Sequence, residues 1–192
     1  MRLLHLDSSI QGENSASRAI AAAVVEKLRA ADPTLEIVYR DLAAAPLPHL
    51  TLGTFASDEG KAIMAEFQAA DVLVIGAALY NFTLPSQLKA WIDRILVAGQ
   101  TFRYGPNGAE GLAGGKRVIV ALARGAVYGE GSPFAALEHA ETLLRTVLGF
   151  IGIAAPEFII AEGLAMGPEA RQASLDAALE QAGHVAPVPL AA

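Results

Sequence analysis

Three short stretches carry residue types able to do chemistry, and each sits where an apolar run gives way to a polar loop. Tyr80-Asn81-Phe82 follows the apolar run 71–79 and precedes a pattern led by Pro85, in which Leu84, Leu88, Trp91, Ile92, Ile95 and Leu96 recur at helical spacing. Two rings and an amide offer flat apolar area with hydrogen-bonding groups, which suits a planar heteroaromatic ligand. The same residues would serve as a strand cap packed on a core. The second stretch, Ser8 to Arg18, ends where a helical pattern begins. A helix N-terminus presents unpaired N–H groups and a positive dipole end, so Ser15, Ser17 and the N–H groups of Ala16 and Ser17 can hold a phosphate without lysine. Ser15 as a simple N-cap is the alternative. Neither GxGxxG nor GxxxxGK[ST] occurs in this loop, so the two commonest nucleotide fingerprints are missing. In the third stretch, 121–131, Gly125 lets backbone N–H groups approach the polar edge of a ring and Tyr128 can donate to a ring oxygen; a tight turn and a packed surface tyrosine explain them equally.

The elements that must position these loops alternate along the chain. Strand patterns are expected at 2–7, 35–40, 71–79, 117–123 and 157–161, and helices at 15–31, 59–69, 84–99, 134–148 and 168–183. The Pro-rich connection 41–57 and the Gly-rich stretch 103–115 are expected to be irregular, and the tail 184–192 frayed. Alternating strands and helices imply a parallel sheet covered on both faces, in one domain over 1–192. Ligands bind such sheets at the carboxyl ends of the strands, which is where all three loops fall. Spacing alone leaves the strand order open, and a dinucleotide-binding arrangement has the same local pattern.

Composition narrows the partners. The formal net charge is −6 with no Lys/Arg-dense block, which argues against nucleic acid or an anionic membrane surface. No apolar run approaches the roughly 18–20 residues that span a bilayer, and residues 1–9 reach Asp7 too soon for a signal peptide. With no cysteine there is no thiolate nucleophile, and a reducing cytoplasm is the expected location. His5, His49, His139 and His184 are scattered without ligand spacing, so no metal site is expected. A small molecule is left as the default partner.

The stretches SSxxxxxSxSR, YNFTLPSQLKAWIDR, GQTFRYGPNGAEGL, ARGAVY, LGFIGI and AEGLAMGPE, in this order, closely resemble the FMN-dependent NADH:azoreductases, flavodoxin-like homodimers related to the NAD(P)H:quinone oxidoreductases. The resemblance covers nearly the whole chain. It implies a flavodoxin-like fold with a five-stranded sheet in the order 2-1-3-4-5, and an FMN site shared with a subunit interface. Carried over by position, Ser9, Ser15, Ala16 and Ser17 would hold the FMN phosphate. Leu79, Tyr80, Asn81 and Phe82 would line the ring, and Ala123, Arg124, Gly125 and Ala126 its other polar edge. Phe82, Phe102, Tyr104 and Phe150 would wall the substrate cavity. The chain departs from the family pattern at Leu79, Ala123 and Ala126 and in a short 41–61 connection, positions that bear on flavin contacts and substrate range.

The reaction so implied is two-electron, ping-pong hydride transfer from NADH, or NADPH, through the flavin to a quinone or azo compound. No side chain is obligatory as acid or base; Asn81 and Tyr128 are supporting donors. Two other classes compete. A flavodoxin-type electron carrier would hold FMN without turning over NADH, and an esterase would use Ser8 or Ser9, although no GxSxG elbow is present.

Overall fold

A computed structural model describes residues 1–55 and 57–187. Along the chain run β1 (Arg2–Asp7), α1 (Ala16–Ala31), β2 (Glu36–Asp41), α2 (Leu52–Phe55), α3 (Asp58–Ala69), β3 (Val72–Ala78), α4 (Ser86–Ile95), β4 (Phe102–Gly105), β5 (Gly108–Gly111), β6 (Arg117–Ala123), α5 (Ala140–Phe150), β7 (Glu157–Ala161) and α6 (Pro168–Gly183). Five strands form one parallel sheet in the order β2-β1-β3-β6-β7. With the β4–β5 hairpin set aside, this is the expected order 2-1-3-4-5.

Alternate residues of each strand point to opposite faces, so a sheet covered on both sides needs apolar residues at both parities. Leu3, Val72, Val74, Ile119 and Ala121 pack with Ile20, Val24 and Leu28 of α1 and Ala178 and Ala182 of α6. Their neighbours Leu4, Leu6, Leu73, Ile75, Val120 and Leu122 pack on the other face with Phe67 of α3, Trp91 of α4 and Leu144 of α5. The result is two helix layers around one sheet, with the three chemistry-bearing loops at its carboxyl edge.

Four elements differ from expectation, three of them for an identifiable local reason. Helix α4 is shorter than 84–99: Pro85 is extended (ψ 139°) and serves as N-cap, which leaves Leu84 outside the helix. At its other end the Thr101 hydroxyl donates to the Ile95 carbonyl at 2.5 Å and accepts from the Val97 N–H at 3.1 Å, which stops the ladder. The 103–115 excursion is not irregular: β4 and β5 pair antiparallel, with Arg103 and Glu110 joined across the strands by two hydrogen bonds of 2.8 and 2.9 Å. Helix α5 begins at Ala140, not near Phe134, because the Glu138 carboxylate accepts from the N–H groups of Ala140 and Glu141 at 3.0 and 2.9 Å. A short 3-10 turn, Ala135–Leu137, precedes it. Within the connection 41–57, expected to be irregular, one short helix forms, α2. Residues 188–192 of the expected frayed tail lie outside the described residues.

Candidate functional site

The ends of β1, β3 and β6 converge on a cleft of about 240 Å³. Ser9, Ser15 and Ala16 come to it from the first loop, Leu79 and Tyr80 from the second, Ala123, Arg124 and Gly125 from the third. At Leu79 and Tyr80 it adjoins a second hollow of about 530 Å³, which reaches Asn81 and the start of α4. Eight of the expected cofactor residues are thus brought together around one space, and a ninth, Asn81, borders the adjoining one.

The first loop ends at the N-terminus of α1. Ser15 is the N-cap of α1; its hydroxyl accepts from the Arg18 N–H at 3.3 Å and lies 3.1 Å from the Ser17 hydroxyl. The N–H groups of Ala16 and Ser17 open the first turn, where no intrahelical acceptor exists. Ser17 is fully buried and does not line the cleft; its hydroxyl reaches the site only through Ser15. The Ser9 hydroxyl, nearly buried, sits 2.9 Å from the Tyr80 hydroxyl and so ties the first loop to the second. Arg18 sends two hydrogen bonds, of 3.2 and 2.9 Å, to the Ser9 carbonyl while its other edge grips Asp41. That pairing holds the Asp41 carboxyl down to about 2. Beside it the Tyr39 hydroxyl, pushed up to about 12 by burial and by Asp7, stays protonated and donates to Asp7 at 3.1 Å.

The second loop is a strained turn. Tyr80 and Thr83 exchange backbone hydrogen bonds of 2.9 and 3.1 Å, and the two residues between them, Asn81 (φ 47°) and Phe82 (φ 70°), are the only non-glycine residues with positive φ among the described residues. Asn tolerates this region; an aromatic side chain there is uncommon and costs of order 1–3 kcal/mol, so the turn is held by its surroundings. His139, just ahead of α5, donates its N–H to the Phe82 carbonyl at 3.0 Å and is one such support. The N–H groups of Asn81 and Phe82 meet no acceptor among the described residues.

The third loop is fixed from behind. The Gly125 carbonyl accepts from Ala165 at 2.8 Å and the Ala126 carbonyl from Gly163 at 3.2 Å, while the N–H groups of both find no acceptor among the described residues. Arg124 is buried, and its guanidinium is committed to Glu141 at 2.6 Å, Glu162 at 2.7 Å and Glu138 at 3.4 Å. Only the main chain of this residue is therefore available to a ligand. Tyr128 gives its N–H to Glu162 at 3.1 Å and rests its ring on Phe134, with no partner for its hydroxyl among the described residues.

The four expected wall residues split. Phe102 packs tilted against Phe150 at 4.7 Å and edge to face with Tyr104 at 5.6 Å, and this cluster lines neither hollow. Phe82 lies apart from it, 47% exposed. Sequence reasoning did not single out Gln11, Ala78, Leu164, Ala165 or Arg171, all of which line the cleft. Gln11 lies inside the serine-rich loop and was within reach of a loop-level reading; Arg171, on α6, meets Asn14 across 157 residues and has no local signal. Ser8 is excluded as a nucleophile, because its fully buried hydroxyl donates to the Gly76 carbonyl at 2.8 Å. Among the described residues no group of three metal-ligating side chains occurs, and no helix is long and apolar enough to cross a membrane.

Comparison with known proteins bears on the fold and the family. A family model described as a flavodoxin-like fold matches residues 1–185. An FMN-dependent NADH:quinone oxidoreductase of Methylorubrum populi is 60% identical over 197 aligned positions, covering 95% of this chain and 97% of that protein. The crystal structure of azoreductase AzrA superposes with a TM-score of 0.88 at 30% identity, covering 96% of this chain and 98% of that one. An azoreductase from Bacillus anthracis str. Sterne gives 0.87 at 29% identity, covering 96% and 97%. A sheet of this order, with serine-capped α1 beside a strained aromatic turn, and relatives alike over almost their full length, place the chain in the flavodoxin-like family, among the FMN-dependent NADH:quinone oxidoreductases and azoreductases.

Proposed function

We propose that the chain is an FMN-dependent oxidoreductase that uses NADH to reduce quinones and azo compounds. The observation that carries it is a cleft that runs from the N-terminus of α1 to Leu79 and Tyr80 and there adjoins a hollow bordered by Asn81, in a turn whose two N–H groups meet no acceptor among the described residues. The residues present fit FMN. Ser9, Ser15 and Ala16 supply hydroxyls and amides for the phosphate, with Ser17 behind them orienting the Ser15 hydroxyl; Leu79 and Tyr80 supply apolar wall, and the N–H groups of Asn81, Phe82, Gly125 and Ala126, without acceptors among the described residues, supply donors for the polar edges of a flat ring. When bound, FMN supplies the hydride-accepting and hydride-donating chemistry. The protein's part is to stack each substrate against the ring in turn and to aim fixed dipoles at the charge that develops there.

Phe82, Tyr104, Phe134, Phe150 and Met166 are exposed apolar side chains. Their exposure supports a homodimer; on this reading Tyr104 and Phe150 of one protomer, backed by the buried Phe102, close the substrate cavity of the other, residues 1–192 act as a single FMN-binding unit, and the protein works in the cytoplasm. A carrier that passes single electrons to proteins is the competing reading. Against it, none of the residues lining the 240 Å³ cleft is acidic, so no negative collar steers a protein partner. Purified protein is expected to be yellow, to release FMN on heating, to oxidise NADH steadily with menadione or methyl red, and to run near twice its monomer mass of 19.9 kDa. Bound FMN without any NADH turnover would leave the carrier.

A further inference from the structure

Every arginine of the chain but one lies within 4.0 Å of a carboxylate. The exception among the described residues is Arg171, on the first turn of α6. Its Nη2 donates instead to the Asn14 carbonyl at 2.6 Å, bridging α6 to the loop that leads into α1, and its side chain lines the same cleft as Ser9, Ser15 and Ala16. A guanidinium carries five donors in a planar fork, and only one of them is used here. The other arginine of the cleft, Arg124, is spent on three glutamates. A helix N-terminus offers only about half a positive charge, and hydroxyls and amides add none, so a phosphomonoester seated at Ser15 and Ala16 would lack a full counter-charge without a further cation.

We propose that Arg171 is a phosphate-binding residue that closes on the terminal phosphomonoester of the flavin from the α6 side and selects the phosphorylated cofactor over its alcohol. The proposal rests on the FMN reading given above. Arginine suits the role, since its fork matches two phosphate oxygens at once and its charge persists at any physiological pH. The bond to Asn14 holds the side chain in place beforehand, so little rotamer freedom is lost when the anion arrives.

The test is a fluorescence titration of flavin-stripped full-length protein with FMN and with riboflavin, for wild type, Arg171→Met and Arg171→Lys, at low and high salt. Arg171→Met is expected to weaken FMN binding by about tenfold, the scale of one charge-assisted hydrogen bond, and to leave riboflavin binding unchanged. Arg171→Lys recovers part of the loss, and the salt dependence of FMN affinity shrinks in the Met variant. An equal loss for FMN and riboflavin makes Arg171 a mere prop for the Asn14 loop and overturns the proposal, as does no loss for either. Wild-type protein that binds neither flavin overturns the cofactor reading and this proposal together. Wild type that binds FMN, with an FMN-to-riboflavin ratio untouched in Arg171→Met, removes Arg171 alone.

Discussion

Asn81 and Phe82 show how a single turn exposes main-chain donors. Tyr80 and Thr83 pair with each other, the two residues between them take positive φ, and their N–H groups meet no acceptor among the described residues. Asparagine can occupy that region while keeping an amide free for a ligand, so Asn81→Ala tests the side chain while the backbone donor remains. Turnover with NADH and menadione is expected to fall by about tenfold, the worth of one hydrogen bond to developing charge, with an unchanged circular dichroism spectrum. Unaltered kinetics would remove the Asn81 amide from the site. Arg124 teaches the opposite lesson: a charged residue in a loop at the cleft is held by Glu138, Glu141 and Glu162, which ties the third loop to the start of α5 and the residue after β7.

At the scale of elements, the β4–β5 hairpin depends on a close approach that only glycine permits. A Cβ on Gly111 would lie 2.1 Å from the Gly152 nitrogen and 2.3 Å from the Ile151 carbonyl carbon, both main chain just beyond α5. Neither can yield as a flexible side chain would. Gly111→Ala is therefore expected to destabilise the fold by about 2 kcal/mol through overpacking, and to loosen Phe102 from Phe150. A urea titration measures the first effect; an unshifted midpoint would show that the hairpin moves freely against the turn at Gly152. Glu138 likewise decides where α5 starts, and it does so while facing Arg124, so the helix boundary and the rim of the cleft are set by one carboxylate.

Across the whole molecule, the Arg18–Asp41 pair joins α1, the end of β2 and the Ser9 loop. Asp41 titrates near 2 in the folded chain, mainly because Arg18 hydrogen-bonds its charged form, against 3.8 for a free aspartate. A depressed folded value means that the contribution is complete above about pH 4 and is lost as pH falls towards 2. The urea midpoint is accordingly expected to decline over that window, and Asp41→Asn to start lower at neutral pH and decline less. Equal declines in the two proteins would show that the pair adds nothing to acid stability.

Much of this protein is legible in its sequence. The β3 and β6 runs are apolar at both parities, and that pattern alone demands a strand covered on two faces. Serines followed by a helical pattern, and an aromatic turn followed by proline, marked two of the three loops, because caps and turns are written in a few adjacent residues. The glycine-rich hairpin was hidden, since its strands are stabilised by a cross-strand ion pair and by a contact with Gly152. The burial of Ser17, the diversion of Arg124 to glutamates and the arrival of Arg171 beside Asn14 were equally invisible. Local sequence determined which segments become strands, helices and turns; tertiary structure decided which side chains face the cleft. The physical reason is that a side chain's partner is chosen by burial and charge at distances of up to 157 residues along the chain, which no local pattern encodes.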